Sequence, residues 1–147
     1  MGWDRLGCLM TIKELQRYRY AISEAQAIQQ QIEQLYNTVR SPNLVSIGAR
    51  GNTVSDPTHA ALTKIDELRE ELEEIQRGLA EQAKAIEEWL ATVEDSKIRA
   101  AIRWHFILGA TWRETARKVD GTLSWEAFRK AFFRWFYDNE KGEENGD

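Results

Sequence analysis

Two long stretches of the chain carry apolar residues at the spacing of a coiled-coil helix. Between Thr11 and Arg40, apolar side chains recur every seven residues in two interleaved rows, with polar residues filling the other positions. These rows are Tyr18, Ala25, Ile32 and Val39, and Ala21, Ile28 and Leu35. From about Thr58 to Val93 five heptads follow, with Ile65, Leu72, Leu79, Ile86 and Val93 in one row and Ala61, Leu68, Ile75, Gln82 and Trp89 in the other. The pattern predicts a long antiparallel helical hairpin, coiled-coil-like, over residues 11–94.

A connector at about residues 41–57 separates the two predicted helices. Ser41-Pro42 ends the first helix, because proline disfavours helical geometry in the residue before it. Asp56 and Pro57 are expected to begin the second helix, as its N-cap and its first helical residue. A plain bundle helix is the alternative to a coiled coil, and a homodimer formed through the hairpin is compatible with both.

After residue 94 the apolar spacing shortens and predicts three short helices, a trihelical unit over residues 95–137. The first helix, at about residues 97–108, follows a cap at Asp95 or Ser96. It ends at Gly109, since glycine readily adopts the left-handed conformation that closes a helix. Its expected buried face consists of Ile98, Ala101, Ile102 and Phe106.

The second and third short helices are predicted from a capping motif and a turn. Thr111 and Glu114 have the spacing of a capping box, in which each side chain bonds the backbone of the other residue. This helix ends near Val119, and Asp120-Gly121 makes the turn. A third helix is predicted over residues 125–137, with Ser124 as its N-cap. Its expected core residues are Phe128, Ala131, Phe132 and Trp135.

The expected fold class is therefore all-α, with flexible ends. Residues 1–10 are expected to be a flexible extension, and residues 138–147, which are acidic and contain glycine, a disordered tail. No apolar run approaches the roughly 20 residues that a membrane helix needs, and the N-terminus lacks the apolar core of a signal peptide. Because Cys8 is the single cysteine, no internal disulfide can form. We expect a cytoplasmic protein of a bacterial host cell, without a membrane partner.

Few residues of the chain could support catalysis. The two histidines are His59 and His105, Cys8 is the single cysteine, and the sequence has no phosphate-binding or nucleophile-elbow motif. The many carboxylates follow the spacing of a solvated helix face. We therefore expect no enzyme, no metal site and no cofactor.

Charge is distributed unevenly along the chain, whose formal net charge is −4. Residues 58–94 contain four basic and ten acidic residues, a net charge of −6. Residues 95–137 contain nine basic and four acidic residues, a net charge of +5. The trihelical unit is therefore the segment suited to a nucleic-acid partner.

The predicted turn between two short helices, the second of them basic and aromatic, is typical of a helix-turn-helix that binds double-stranded DNA. The candidates for facing the bases are Ser124, Trp125, Glu126, Arg129 and Lys130. The candidates for contacting phosphates are Thr111, Arg113, Arg117, Lys118 and Arg134. Taken singly, each basic residue is equally well explained as part of a solvated face, and Trp112 and Trp125 as packing residues. The prediction therefore depends on their combination.

Residues 102–116, and above all the pattern Gly-x-Thr-Trp-x-Glu-x-Ala at residues 109–116, resemble the helix-turn-helix of phage-encoded regulators of the ArpU/RinA type. That motif is similar to the C-terminal, promoter-reading domain of sigma factors. The resemblance covers about residues 10–135 and implies transcription regulation, with the base-facing candidates above at the DNA face. The chain departs from the pattern at Thr115, where a branched aliphatic residue is usual, and in the longer turn at residues 120–123.

Together these observations predict a phage-encoded, DNA-binding transcriptional regulator. One alternative is a DNA-packaging component that resembles a small terminase subunit, since such proteins also join a helix-turn-helix to an oligomerising hairpin. Another is a protein-interaction module whose basic face contacts RNA polymerase. A large ring in solution would favour packaging, whereas a monomer or dimer would favour regulation.

Overall fold

The computed structural model of the protein describes residues 10–40 and 57–145, and every regular element in these ranges is a helix. The elements are α1 (Ile12–Arg40), α2 (Pro57–Leu90), α3 (Ser96–Ala101), a π-helix (Ile102–Ile107), α4 (Trp112–Asp120) and α5 (Trp125–Asn145). The predicted all-α fold class is confirmed. The expectations for residues 1–9, for the connector at 41–56 and for residues 146 and 147 lie outside the described ranges.

The chain divides into two compact units. One consists of Ala21–Ala80, and the other contains the described residues up to Tyr20 and from Glu81 onward. The second unit includes the whole of the predicted 95–137 segment together with one end of each long helix. Among the described residues, no helix combines the length and the apolar character needed to cross a membrane.

In the 21–80 unit, the heptad residues form the packed side of each helix. Ala25 and Ile28 of α1 and Ile65 and Leu68 of α2 are buried, and the other heptad residues between 21 and 79 are half-buried. The Arg69 guanidinium lies over the Tyr36 ring, 5.3 Å from its centroid, and also donates to the tyrosine hydroxyl. The heptad pattern therefore identifies the inner faces correctly, while the antiparallel hairpin stays a prediction.

In the second unit, which contains residues 10–20 and 81–145, α1 begins with a capping box that was not among the predictions. The Glu14 amide donates to Thr11 Oγ1 at 3.1 Å, and the Thr11 amide donates to the Glu14 carboxylate at 3.2 Å. Met10, expected in the flexible extension, is buried at 9% exposure. The core of this unit includes Met10, Leu15, Tyr18, Ile86, Trp89, Leu90, Val93, Ile98, Ala101, Ile102, Phe106, Ala116, Phe132 and Phe136. The four predicted buried residues of the 97–108 segment are all among them.

The predicted helix at 97–108 is only partly α-helical. It begins at Ser96, after Asp95, whose carboxylate accepts from the amides of Lys97 at 2.9 Å and Ile98 at 3.3 Å. From residue 102 it is a π-helix, and the Leu108 amide donates to the Arg103 carbonyl five residues back at 2.8 Å. Within this segment the consecutive residues 105 and 106 are both buried, at 7% and 1% exposure.

The capping box and both glycine helix ends in this segment are confirmed. The Glu114 amide lies 3.1 Å from Thr111 Oγ1, and the Thr111 amide lies 3.0 Å from the Glu114 carboxylate. Gly109 and Gly121 adopt φ values of +82° and +70°, in the left-handed region that other residues disfavour. Helix α4 therefore has a defined start and a defined end.

Helix α5 differs from its prediction in two respects. Its buried residues Phe132 and Phe136 lie four apart, whereas Ala131, expected in the core, is exposed because it lies on the flank of that face. The helix continues to Asn145, so the tail predicted as disordered is helical over 138–145. Glutamate and lysine, which are good helix formers, predominate after Asn139, and the side chain of Asn139 donates to the Trp135 carbonyl at 2.8 Å.

Helix α2 is shorter than predicted, since it ends at Leu90 instead of Val93. The amides of Thr92 and Val93 turn back to the carbonyls of Trp89 and Leu90, at 2.9 and 3.1 Å. This tight turn ends the helix while leaving Val93 buried at 6% exposure.

Candidate nucleic-acid interface

Trp112, the first residue of α4, packs α4 against α5. Its ring centroid lies 5.1 Å from that of Phe132, 5.9 Å from that of Phe133 and 6.3 Å from that of Phe128. Aromatic pairs at these separations stabilise packing beyond the area they bury. Trp112 is therefore a packing residue that sets how the two helices meet.

His105 completes this aromatic cluster from the π-helix. Its ring stacks on Trp112 with 3.9 Å between centroids, and its Nδ1 donates to the Ala110 carbonyl at 2.8 Å. The pKa of His105 is lowered from 6.5 to about 4, mainly by burial and also by the positive charges of Arg19 and Arg129, against the opposing effect of the Ala110 hydrogen bond. His105 is therefore neutral near pH 7 and belongs to the support of α4.

The outer faces of α4 and α5 carry exposed basic side chains at helical spacing. Arg113 and Arg117 are four residues apart on α4, and Lys130 and Arg134 are four apart on α5. Among the described residues, none of these four side chains has a hydrogen-bond or ion-pair partner. These four side chains are therefore available to bind an anionic partner.

Two other predicted DNA contacts rest against aromatic rings. Lys118 Nζ lies 5.1 Å from the centroid of the Trp104 ring, and the Arg129 guanidinium carbon lies 4.7 Å from that of Phe133. Such cation–π contacts restrict a long side chain while leaving its charge intact. Lys118 and Arg129 are exposed residues whose positions are partly set in advance.

The capping box engages Thr111, the remaining phosphate candidate. Both its amide and its hydroxyl are bonded to Glu114, at 3.0 and 3.1 Å. The amide and hydroxyl of Thr111 are therefore less available to bind a phosphate than predicted.

The base-facing candidates do not all lie on one face of α5. Glu126 and Lys130 are exposed at a spacing of four residues, in the same row as Arg134. Trp125 is half-buried and lies three residues before Phe128, on the packed side of the helix. Ser124 is exposed in the turn, where its carbonyl accepts the Phe128 amide at 3.1 Å. The structure thus groups Glu126, Lys130 and Arg134 and separates Trp125 from them.

Two residues of this region were not candidates in the sequence analysis. Leu123, in the turn between α4 and α5, is 86% exposed. An apolar side chain within a predicted turn could have indicated an exposed apolar residue at this position. Arg19 of α1 contacts the chain just before α4, through hydrogen bonds between residues 86 to 91 positions apart in sequence, which no local pattern indicates.

Comparison of the chain with models of known protein families, with curated protein sequences and with solved structures finds no match.

Proposed function

We propose that this protein binds double-stranded DNA through α4 and α5 and acts as a transcriptional regulator of the phage type that its C-terminal motif resembles. In this proposal α4, the turn and α5 form a helix-turn-helix, with α5 as the recognition helix in the major groove. Glu126, Lys130 and Arg129 would meet base edges, and Arg113, Arg117 and Arg134 would meet phosphates.

One observation carries the proposal: unpaired basic residues are concentrated on the outer faces of α4 and α5, two helices that pack on each other through Trp112. Lys97 pairs with Asp120 at 3.3 Å, and Arg103 pairs with Glu87 at 2.9 Å. The four basic residues on the outer faces of α4 and α5 have no such partner in the described ranges, although acidic residues outnumber basic ones in the whole chain by 24 to 20. Unpaired cations on two adjoining helices favour a polyanionic ligand.

Salt-dependent binding of a fluorescein-labelled, random-sequence DNA duplex tests this proposal. Each phosphate that the protein neutralises releases counterions, so the slope of log affinity against log salt concentration is smaller by about 0.9 for every phosphate-binding side chain that a variant removes. The double variant Arg113→Ala/Arg117→Ala should bind more weakly and with a slope smaller by about 2.

The control is the double variant Arg17→Ala/Lys84→Ala, which removes the same charge from exposed positions of the same unit. We expect it to retain the affinity and the slope of the wild type, and circular dichroism should confirm that both variants stay helical. Equal losses of affinity in the two double variants would mean that DNA binding depends only on net charge, and would overturn the proposed DNA-binding face on α4 and α5.

The regulatory role is tested separately from DNA binding. Genomic fragments of the host and its phages, selected on the immobilised protein, should be enriched for regions upstream of transcription starts. Light scattering should give a monomer or dimer, and a large ring would contradict regulation in favour of packaging.

A further inference from the structure

Arg19 of α1 contacts three backbone carbonyls at the end of the π-helix and in the link to α4. Its Nε donates to the His105 carbonyl at 2.9 Å, and one terminal nitrogen lies 3.4 Å from the Gly109 carbonyl and 3.3 Å from the Ala110 carbonyl. The Ala110 carbonyl also accepts from His105 Nδ1 at 2.8 Å. One guanidinium thus satisfies carbonyls on both sides of Leu108.

The His105 carbonyl is one of those that the end of a helix leaves without partners, whereas the Gly109 and Ala110 carbonyls belong to the link. The last carbonyls of a helix lack intrahelical donors, and they form the negative end of its dipole. In the π-helix the Ala110 amide turns back to the Trp104 carbonyl at 2.9 Å and leaves the His105 carbonyl to Arg19. The planar fork of an arginine holds donors on three separate nitrogens in a fixed geometry, whereas the three donors of lysine share a single nitrogen.

The link that Arg19 holds determines how α4 leaves the preceding helix. Only residues 108–111 separate the π-helix from α4, and Trp112 directly follows them. Trp112 in turn stacks on His105 and packs on α5. A change in the backbone at Ala110 would therefore shift α4 and α5.

We propose that Arg19 is a positioning residue, which sets the direction of α4 and thereby the placement of the DNA-binding helices. The consequence for DNA rests on the proposed function, whereas the backbone contacts do not depend on it. Arg19 belongs to the first of the two long helices, so the outer faces of α4 and α5 depend on a residue from the other end of the chain.

Amide hydrogen exchange tests the backbone part in three variants of the full chain. Arg19→Gln removes both the charge and the fork, Arg19→Lys keeps the charge alone, and Arg17→Gln is the control. Arg17 is exposed two residues away on the same helix and, within the described residues, has no partner. We expect exchange at Ala110 to become about ten- to a hundredfold faster in both Arg19 variants, the range for removal of hydrogen bonds to a charged donor. Arg17→Gln should match the wild type.

The imidazole of His105 supplies a spectroscopic readout that separates the charge of Arg19 from general loosening, because loosening would raise its pKa in both Arg19 variants. Because the Arg19 charge lowers the pKa of His105, its NMR titration should move to higher pH in Arg19→Gln and remain nearer the wild-type value in Arg19→Lys. Unchanged exchange at Ala110 and unchanged titration of His105 would overturn the proposal.

Binding of the random-sequence duplex separates the two proposals. If Arg19 positions the helices, both Arg19 variants bind several-fold more weakly with the salt slope of the wild type. A slope smaller by about 1 would mean that Arg19 itself contacts a phosphate, which would overturn the positioning role. Faster exchange with unchanged affinity would also overturn it. A wild-type protein that binds no DNA, together with faster exchange in the variants, would refute the proposed function and leave the backbone role of Arg19 supported.

Discussion

Thr115→Val should make the protein more stable, although it removes a polar group from a charged helix. Thr115 has 0% exposure, and its Oγ1 is buried without a hydrogen-bond partner. A buried hydroxyl left unsatisfied costs about 1–3 kcal/mol. Valine has the same branched shape and a similar side-chain entropy, so the packing should be preserved. We therefore expect the free energy of unfolding to rise by about 1–2 kcal/mol.

Urea unfolding followed by tryptophan fluorescence is suited to this measurement, because every tryptophan in the described residues lies in the same unit as Thr115. The midpoint should rise while the m-value stays the same, since the surface exposed on unfolding is unchanged. In thermal unfolding, each kcal/mol should raise the Tm by about 2–4 °C for a chain of this size.

The same substitution four residues earlier provides a control of opposite sign. Thr111→Val removes the hydroxyl that accepts from the Glu114 amide, so the free energy of unfolding should fall by about 1 kcal/mol. If Thr115→Val is as destabilising as Thr111→Val, then the Thr115 hydroxyl has a partner in solution and the reasoning is refuted.

Three further outcomes are expected in the same unit and its neighbour. The pKa of His105 is about 4 in the folded protein and near 6.5 in the unfolded chain. The contribution of neutral His105 to the free energy of unfolding should therefore be complete above pH 6.5 and fall by roughly 3 kcal/mol as the pH is lowered to 4. An NMR titration midpoint near 6.5 would contradict this. Gly121→Ala should lower the free energy of unfolding by about 1 kcal/mol, because φ at this residue is +70°. Gly78→Ala inside α2 should raise it by about 0.5–1 kcal/mol, because alanine is the better helix former. An added Cβ meets nothing within 4 Å at either glycine, so neither effect involves a clash. Trp112→Ala should cost about 3–5 kcal/mol in urea unfolding, and a decrease below about 1 kcal/mol would mean that the aromatic cluster does not fix α4 on α5.

Local features of the fold were predictable because local chemistry determines them. The Thr111–Glu114 capping box, the Asp95 cap and the glycine at the end of each short helix depend on residues within a few positions of one another. The heptad rows likewise identify the inner face of each long helix, because a helix buries one stripe of residues whatever it packs against.

Features that depend on distant residues were not predictable. The π-helix was not predicted because residues 102–107 follow the apolar pattern of an α-helix, and the contact of its His105 carbonyl with Arg19 is 86 residues distant in sequence. The half-buried position of Trp125 follows from the way α5 packs, and periodicity alone could not distinguish it from an exposed base contact. The basic residues of α4 and α5 were identified from the sequence, but which of them are unpaired required the side-chain contacts.

The π-helix determines how the chain would respond to a change of length. A π-helix is in effect an α-helix with one residue inserted, and its wider turn takes up the extra residue. Deleting one residue between 102 and 107 would therefore allow an α-helix to continue through the segment with nearly the same total rotation. Deleting one residue within α4, which is α-helical throughout, would instead rotate everything that follows by about 100° and shorten the helix by about 1.5 Å. We therefore expect the deletion of a single codon to be tolerated better in the π-helix than in α4.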